Sequence, residues 1–167
     1  MKKICLLLCC ILILQFFTSC KRENEEFEVP VNFYYCNHDI FYNSPSGVLQ
    51  AEVREGSNFN DDLTAFLYAY LRGPISSELQ SFIPSDVYLV TCSLQGDVAE
   101  ITLSSSFSSL SGVRLSMVCS AILMSVHDFA GVQTVRVQAK NAQLDDKDEF
   151  IITMDELVLI DTATIEE

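Results

Sequence analysis

One long apolar segment restricts the fold of this chain more than any other part of its sequence. Between residues 112 and 129, apolar side chains recur with the three- and four-residue spacing of a helix. The stripe consists of Leu115, Val118, Cys119, Ile122, Leu123 and Val126, and it is widened by Met117, Ala121 and Met124. A helix that is apolar around so much of its surface must be covered on most sides by other elements.

A shorter helix is predicted before it, with Asn60 as the N-cap and Gly73-Pro74 as the signal that ends it. Asp61 and Asp62 would lie in its first turn, where the helix dipole favours negative charge. Its apolar stripe consists of Leu63, Phe66, Leu67, Tyr70 and Leu71.

Alternating apolar and polar residues predict strands before, between and after these helices. The predicted strands are 29–36, 48–54, 87–94, 98–103, 134–139 and 150–153, with a less regular one at 156–160. Gln95-Gly96-Asp97 joins two of them in a tight hairpin. The order β-β-α-β-β-α-β predicts the α+β class, with an open mixed sheet of about five to six strands and two amphipathic helices packed on one face.

The N-terminus has the pattern of an export signal. Two lysines precede an apolar run from Ile4 to Phe17, which is shorter than the roughly 20 residues that a membrane span needs. Thr18-Ser19-Cys20 follows, and a cysteine after two small residues is similar to a bacterial lipoprotein box. We therefore predict that residues 1–19 are a lipoprotein signal peptide and that Cys20 is lipidated; an ordinary secretory signal is the alternative.

After the signal we predict a charged tether at 20–28, a single α+β domain at 29–161 and a tail at 162–167. The formal net charge of the whole chain is −13, and loss of the two lysines of the signal makes it −15. Such an acidic domain is repelled by nucleic acid and by anionic headgroups. Attachment to a membrane surface would therefore depend on the acyl anchor, and we expect no nucleic-acid partner.

Three cysteines remain after the signal and Cys20 are set aside: Cys36, Cys92 and Cys119. An odd number excludes a complete disulfide framework, although one pair stays open. The positions of Cys92 in a strand and Cys119 on a helical stripe favour small apolar roles. Together with His38 these cysteines could be counted as zinc ligands, but no pair has the usual close spacing.

Signatures of catalysis are missing from the sequence, which has no GxSxG, HExxH, Walker loop or GxGxxG pattern. His127 falls in the last turn of the long helix, where a surface or capping role is expected. The acidic run 145–149 lacks the glycine and the final glutamate of an EF-hand and predicts a solvated loop. Residues 104–109, rich in serine, predict a loop into the long helix, with Ser111 as its cap. We expect no catalytic residue, no metal and no cofactor.

Five segments occur in a fixed order: Val53-Arg54, residues 67–74 ending in Gly73-Pro74, residues 83–87 beginning with Ile83-Pro84, residues 96–104 and residues 126–135. In this order and spacing they resemble the GerMN (sporulation and germination GerM-type) domain of bacterial lipoproteins. Lys140-Asn141-Ala142 departs from the family, whose corresponding strand often closes with glycine. The resemblance implies a domain similar to the ring-building modules of secretion-type assemblies, one that is extracytoplasmic, works by protein contacts at membranes and has no catalytic residues to carry over.

These observations predict a membrane-anchored, extracytoplasmic, non-enzymatic protein-interaction module of a cell-envelope assembly. Its partners would be envelope proteins, and self-association stays open. The candidate contact surfaces are the exposed edge of the last strand and the aromatic groups at 33–35 and 41–42, for which packing in the core is the alternative.

The alternative function is a lipoprotein that binds cell-wall glycan or a small ligand through exposed tyrosines and the serine loop. A hydrolase is a third hypothesis, for which the sequence nominates no particular carboxylate.

Overall fold

The computed structural model of this chain describes residues 30–38, 48–55, 59 and 61–157. The signal peptide with Cys20, the tether, Phe41-Tyr42, Asn60 and the tail lie outside the described residues, as does the predicted strand 156–160 beyond Leu157. What the structure describes is an α+β domain, which confirms the predicted class.

The elements follow the predicted order, with one short additional strand after the first helix. They are β1 (Pro30–Asn37), β2 (Leu49–Glu55), α1 (Leu63–Leu71), β3 (Leu79–Gln80), β4 (Leu89–Gln95), β5 (Val98–Leu103), α2 (Gly112–Ala130), β6 (Thr134–Ala139) and β7 (Phe150–Thr153). Short 3-10 helices cover Ser105–Ser109 and Met154–Glu156.

The described strands divide between two sheets, where the sequence predicts a single one. The first sheet has the order β2-β1-β3, and both of its pairings are antiparallel. The second has the order β4-β5-β6-β7, and it is mixed because β5 and β6 are parallel while the outer pairs are antiparallel. The predicted hairpin is confirmed, since Gln95 pairs with Val98 across Gly96-Asp97.

Helix α2 explains the division into two sheets. On one side of β1, strand β3 pairs only with Cys36 and Asn37, and α2 lies along the rest of that side. The main-chain N–H of Tyr34 donates to Ser125 Oγ of α2 at 2.8 Å instead of to a neighbouring strand. Ser125 is fully buried, and its hydroxyl donates to the carbonyl of Ala121 at 2.7 Å. With α2 in this position, β1 cannot be continued by a strand of the second sheet.

The predicted apolar stripe of α2 is buried as expected. The buried side chains of this helix are Leu115, Val118, Cys119, Ala121, Ile122, Leu123, Ser125 and Val126. Among the described residues α2 is also long and apolar enough to cross a membrane by length and composition, a test that the core helix of a soluble domain passes equally well. Its contacts with β1, β6 and β7 assign it to the core of this domain.

Helix α1 begins two residues later than the sequence predicts. Its N-cap is Asp62, whose Oδ1 accepts from the N–H of Thr64 at 2.8 Å, and this corrects the prediction of Asn60. The chain turns at Asp61, which has a φ of 58°, so the residue directly before Leu63 takes the capping position. The predicted end is confirmed by Gly73, which has a φ of 84°.

Stacked aromatic rings connect β1 with both helices. Phe33 of β1 stacks on Phe66 of α1 with ring centroids 4.5 Å apart, and Phe66 stacks on Phe129 of α2 at 4.3 Å. Beside them, Tyr35 stacks on Tyr70 at 5.0 Å. Stacked pairs of this kind add about 0.5–1.5 kcal/mol each beyond the burial of their area, so the cluster binds the first sheet and both helices into one core.

Candidate interaction surfaces

The aromatic groups at 33–35 lie mostly inside the domain, as the core interpretation predicts. Phe33 and Tyr35 are buried, and the hydroxyl of Tyr35 donates to the carbonyl of Tyr70 at 2.8 Å. Tyr34 is partly exposed and donates to Asp128 Oδ2 at 3.0 Å. Burial and the neighbouring Asp128 carboxylate raise the pKa of Tyr34. Of these three side chains, only Tyr34 could contribute to a surface.

Glu52 and Arg54 form a charged cluster on β2. Their side chains are largely buried, on the face where an alternating strand normally presents apolar groups. Arg54 forms an ion pair with Glu52, and its guanidinium carbon lies 4.5 Å from the ring centroid of Phe33. Its Nη2 donates to the carbonyl of Gly73 at 2.8 Å, just past the end of α1. The guanidinium therefore satisfies carbonyls at the C-terminal end of a helix and covers an aromatic ring at the same time.

Glu52 has little capacity left for other partners. Its Oε2 accepts from the main-chain N–H groups of Ile75 and Ser76, both at 2.8 Å, while Oε1 faces Arg54. Burial opposes ionisation, but the two amides and the guanidinium outweigh it, so the pKa of Glu52 lies below its usual value. The pair links β2 to the segment after α1 and is not arranged for turnover.

Sequence reasoning missed the role of these two residues. On a strand that alternates in and out, Val53 would be placed inside, yet 64% of it is exposed. The available signal was the family resemblance, because Val53-Arg54 and Gly73-Pro74 are two of its segments. The hydrogen bond from Arg54 to Gly73 brings them together in space.

Residues within or directly beside the other segments of the resemblance also form hydrogen bonds between elements. Ser106 Oγ donates to Asp86 Oδ2 at 2.5 Å, and the N–H of Tyr88 donates to Ser104 Oγ at 3.2 Å. His127 Nδ1 lies 2.7 Å from the carbonyl oxygen of Val132, which secures the turn after α2. These polar groups hold elements of the domain together.

The acidic run 145–149 forms a tight turn with a capping role. Asp145 and Asp146 have φ values of 48° and 62°, and the main chains of Leu144 and Lys147 exchange hydrogen bonds at 2.7 and 3.0 Å. Asp145 Oδ2 accepts from the N–H of Gly112 at 2.8 Å. A carboxylate thus lies at the start of α2, where the helix dipole favours it.

The capping role predicted for Ser111 is corrected by this contact. Ser111 occupies the N-cap position, but its side chain makes no capping hydrogen bond. The preceding serines behave differently from one another, since Ser104 is buried against Tyr88 whereas Ser105 and Ser109 are exposed.

The outer face of the second sheet presents a polar network. Arg136 Nη1 donates to Glu100 Oε1 at 3.1 Å, and its Nε lies 3.3 Å from Glu149 Oε2. Beside the network is a depression of about 130 Å³, lined by Thr91, Cys92, Ser93, Glu100, Ile101, Thr102, Arg136 and Gln138. This lining has no aromatic side chain on which a sugar could stack.

Strand β7, the predicted last strand, is confirmed at 150–153 and forms an edge of the second sheet. Ile151 is 47% exposed, and the N–H of Thr153 is taken by Glu156 Oε2 at 3.2 Å. An open cleft of about 550 Å³ next to this strand is lined by Gln143, Asp146, Lys147, Asp148, Glu149 and Ile151. The edge therefore combines an apolar side chain with several carboxylates.

The three cysteines of the domain are free thiols. Burial raises the pKa of Cys36 to about 11 and raises that of Cys119 further. Cys92 is partly exposed, and its Sγ lies 3.4 Å from Thr64 Oγ1. Within the described part of the chain, no three His, Cys, Asp or Glu side chains are grouped so that they could hold a metal ion.

The sequence matches the model of one known protein family. The family model described as Germane: Sporulation and spore germination matches residues 33–145, more than half of the 167 residues. No curated protein matches the sequence.

Solved structures from Bacillus subtilis and Clostridium perfringens are among those similar to this chain. The tandem GerMN domains of the sporulation protein GerM from Bacillus subtilis match with a TM-score of 0.53 and 20% identity over 81% of this chain and 48% of that one. The first GerMN domain of the same protein matches with a TM-score of 0.51 and 14% identity over 72% of this chain and 91% of that one. A candidate lipoprotein from Clostridium perfringens has a TM-score of 0.48 and 15% identity over 76% and 88% of the two chains. This chain thus spans about half of the tandem protein and nearly all of the single domain.

Replacing Glu52 with Gln tests the charged cluster on β2. Because the pKa of Glu52 is lowered from 4.5 in the folded state, its contribution is complete above pH 4.5 and is lost as the pH falls through the lowered value. We expect E52Q to reduce the free energy of unfolding by about 1–3 kcal/mol at pH 7, and this difference should shrink on acidification below the usual glutamate pKa. Urea denaturation at several pH values measures it.

Glu55→Gln is the matched control, since Glu55 is an exposed glutamate on the same strand. It should leave the free energy of unfolding within about 0.5 kcal/mol of the wild type. A loss for E52Q that is independent of pH, or one no larger than that for E55Q, contradicts the assignment.

Proposed function

The chain belongs to the Germane family of sporulation and spore germination, and from this membership we propose that it is a membrane-anchored, extracytoplasmic module of a cell-envelope assembly that binds proteins and catalyses no reaction. The single observation that carries the proposal is the family match across 33–145. The family description names no catalytic activity, and the matched segments supply contacts within the domain.

The groups best suited to chemistry are already engaged, which supports a binding role. Arg54 and Glu52 are bonded to each other and to main-chain groups around α1. His127 is held by the carbonyl of Val132. A catalytic site needs side chains that converge on open space with their donors or acceptors available for substrate.

The anchor at Cys20 would keep the domain close to its membrane. The tether 20–28 has nine residues and reaches at most about 30 Å when fully extended. The net charge of −15 after signal removal, from −13 with two lysines lost, disfavours direct adhesion to anionic lipid. The acyl group would therefore supply the attachment, and the domain would remain available for protein partners.

We place the partner contact at β7. A strand added to this edge would gain main-chain hydrogen bonds, and its basic side chains would meet the carboxylates of Asp146 and Asp148. Ile151 would supply apolar contact at the centre. A basic extended segment of an envelope protein fits this combination.

The alternative of a glycan-binding lipoprotein has less support. Two of the tyrosine-region aromatics, Phe33 and Tyr35, are buried, and the polar depression on the second sheet lacks a stacking surface. Phe41-Tyr42 lies outside the described residues.

Replacing Cys20 with Ala should release the protein from membranes. The lost acyl chains would have contributed about 0.8 kcal/mol per buried methylene, and no other group of the tether replaces them. Fractionation and immunoblotting should find the wild type in the detergent-extractable membrane fraction and C20A in the soluble extracytoplasmic fraction. Cys92→Ala, which removes a partly exposed thiol of the domain, should stay with the membranes. Equal distribution of wild type and C20A would refute the anchor.

Replacing Ile151 with Asp should weaken the partner contact. The change adds negative charge and removes the apolar group at the centre of the β7 edge, so crosslinked membranes should give several-fold less co-purifying envelope protein with I151D than with the wild type. Val53→Asp is the control, because Val53 is an exposed apolar residue on an edge strand of the other sheet. Equal recovery with all three proteins, or no partner above background with the wild type, would contradict the role of β7.

A further inference from the structure

The second sheet has another edge, β4, and this edge differs sharply from β7 in charge. The segment from Tyr88 to Gln95 reads Tyr-Leu-Val-Thr-Cys-Ser-Leu-Gln and contains no charged residue, proline or glycine. β-branched and apolar residues without charge are the composition that lets an edge strand pair with another strand. In a chain with a net charge of −13, this is an uncharged edge on an acidic protein.

The pairing of β4 with β5 determines which main-chain groups face outward. Gln95 and Val98 close the two-residue turn and form a hydrogen-bonded pair. Hydrogen-bonded and non-bonded pairs alternate along an antiparallel ladder, so Ser93 and Thr91 also bond to β5. The main-chain groups of Cys92 and Leu94 therefore point away from the sheet.

Helix α1 contacts β4, with Thr64 Oγ1 3.4 Å from Cys92 Sγ, and the remaining side chains leave the edge of the strand accessible. Leu94 is 46% exposed, and Thr91 and Ser93 are exposed on the outer face. Within the described ranges, no group forms a hydrogen bond to the outward main-chain atoms of Cys92 and Leu94. The register shift between Leu89 and Thr91 interrupts the ladder, so the regular part of the edge runs from Thr91 to Gln95.

We propose that β4 pairs with β4 of a second copy of this chain, antiparallel and about a twofold axis at Ser93. In this register the outward main-chain N–H and C=O groups of Cys92 in each copy form hydrogen bonds with those of Leu94 in the other copy. Ser93 faces Ser93 as a non-bonded pair, and Thr91 lies opposite Gln95. Identical strands related by a twofold axis complement themselves in this way.

The self-complementary register assigns a second copy as the occupant, and the lack of charge on β4 permits its approach. Two acidic copies repel each other, and an uncharged edge lets them approach without placing like charges opposite one another. Glu100 of β5 is the cross-strand neighbour of Ser93. Its carboxylate accepts hydrogen bonds from Arg136 at 3.1 Å and from Gln95 at 2.9 Å. A basic partner would gain nothing from β4 and is drawn instead to the carboxylates beside β7. The inference is independent of the anchor and of the envelope partner.

Charge changes at Ser93 test the twofold pairing directly. In Ser93→Asp two carboxylates would face each other across the axis, so the dimerisation constant should fall about fivefold or more. Ser93→Lys should weaken the dimer similarly, and an equimolar mixture of S93D and S93K should form mixed dimers at least as well as the wild type. The full chain in mild detergent, examined by sedimentation velocity over a range of concentrations, gives the dimer fraction.

Ile151→Asp is the matched control, because it places the same charge on the opposite edge of the same sheet. It should leave the dimerisation constant unchanged. The proposal is overturned if the wild type is monomeric at all concentrations, if I151D weakens the dimer as much as S93D does, or if the mixture of Asp and Lys variants fails to restore association. Far-ultraviolet circular dichroism of each variant checks that the exposed substitutions leave the fold intact.

Discussion

Helix α2 must be covered on most sides, and the arrangement of the rest of the domain follows from which elements cover it. The first sheet reaches it through the hydrogen bond from Tyr34 to Ser125, and the second sheet through contacts with β6 and β7. Asp145 caps its start, and Gly131, with a φ of 71°, ends it. Without Ser125 the main-chain N–H of Tyr34 would be buried without a hydrogen-bond partner. The Ser125 hydroxyl removes this energetic cost, so the strand and the helix can lie close together.

This organisation bears on function because it uses the polar residues of the family pattern internally. Arg54 joins β2 to the end of α1, and Ser104 joins the loop after β5 to the start of β4. What the domain leaves free are sheet edges of contrasting character: the uncharged β4, and β7 beside its carboxylates. A fold that presents two different edges from one sheet can serve both a second copy and a separate partner.

Much of the fold could be predicted from local patterns. The stripes of both helices, the hairpin at Gly96-Asp97 and the strand 150–153 follow from periodicity and turn chemistry. The division into two sheets could not, because it depends on Tyr34 meeting Ser125, residues 91 positions apart in the chain. The same holds for the cap that Asp145 supplies to Gly112, where a sequence-local rule favoured Ser111. Periodicity reports which residues share a face and says nothing about which distant element covers it.

The candidate site illustrates the same limit. Arg54 is a polar residue in an alternating strand, and the pattern alone assigns it to solvent, yet only 13% of its side chain is exposed. Arg54 can be buried because it pairs with Glu52, lies over the ring of Phe33 and donates to the carbonyl of Gly73 after α1. The edges are in part readable from sequence, since the charge-free run 88–95 and the acidic run 145–149 are both visible there. The sequence does not show that these two runs lie at opposite edges of one sheet.

Native-state hydrogen exchange of the main-chain amides tests most directly whether α2 joins the two sheets into one cooperative unit. If it does, the N–H of Tyr34 should exchange only through global unfolding, with the same opening free energy and denaturant dependence as the N–H of Val137 in the second sheet. A markedly lower opening free energy for Tyr34 and its neighbours in β1 would show that the first sheet opens separately, and it would contradict the account.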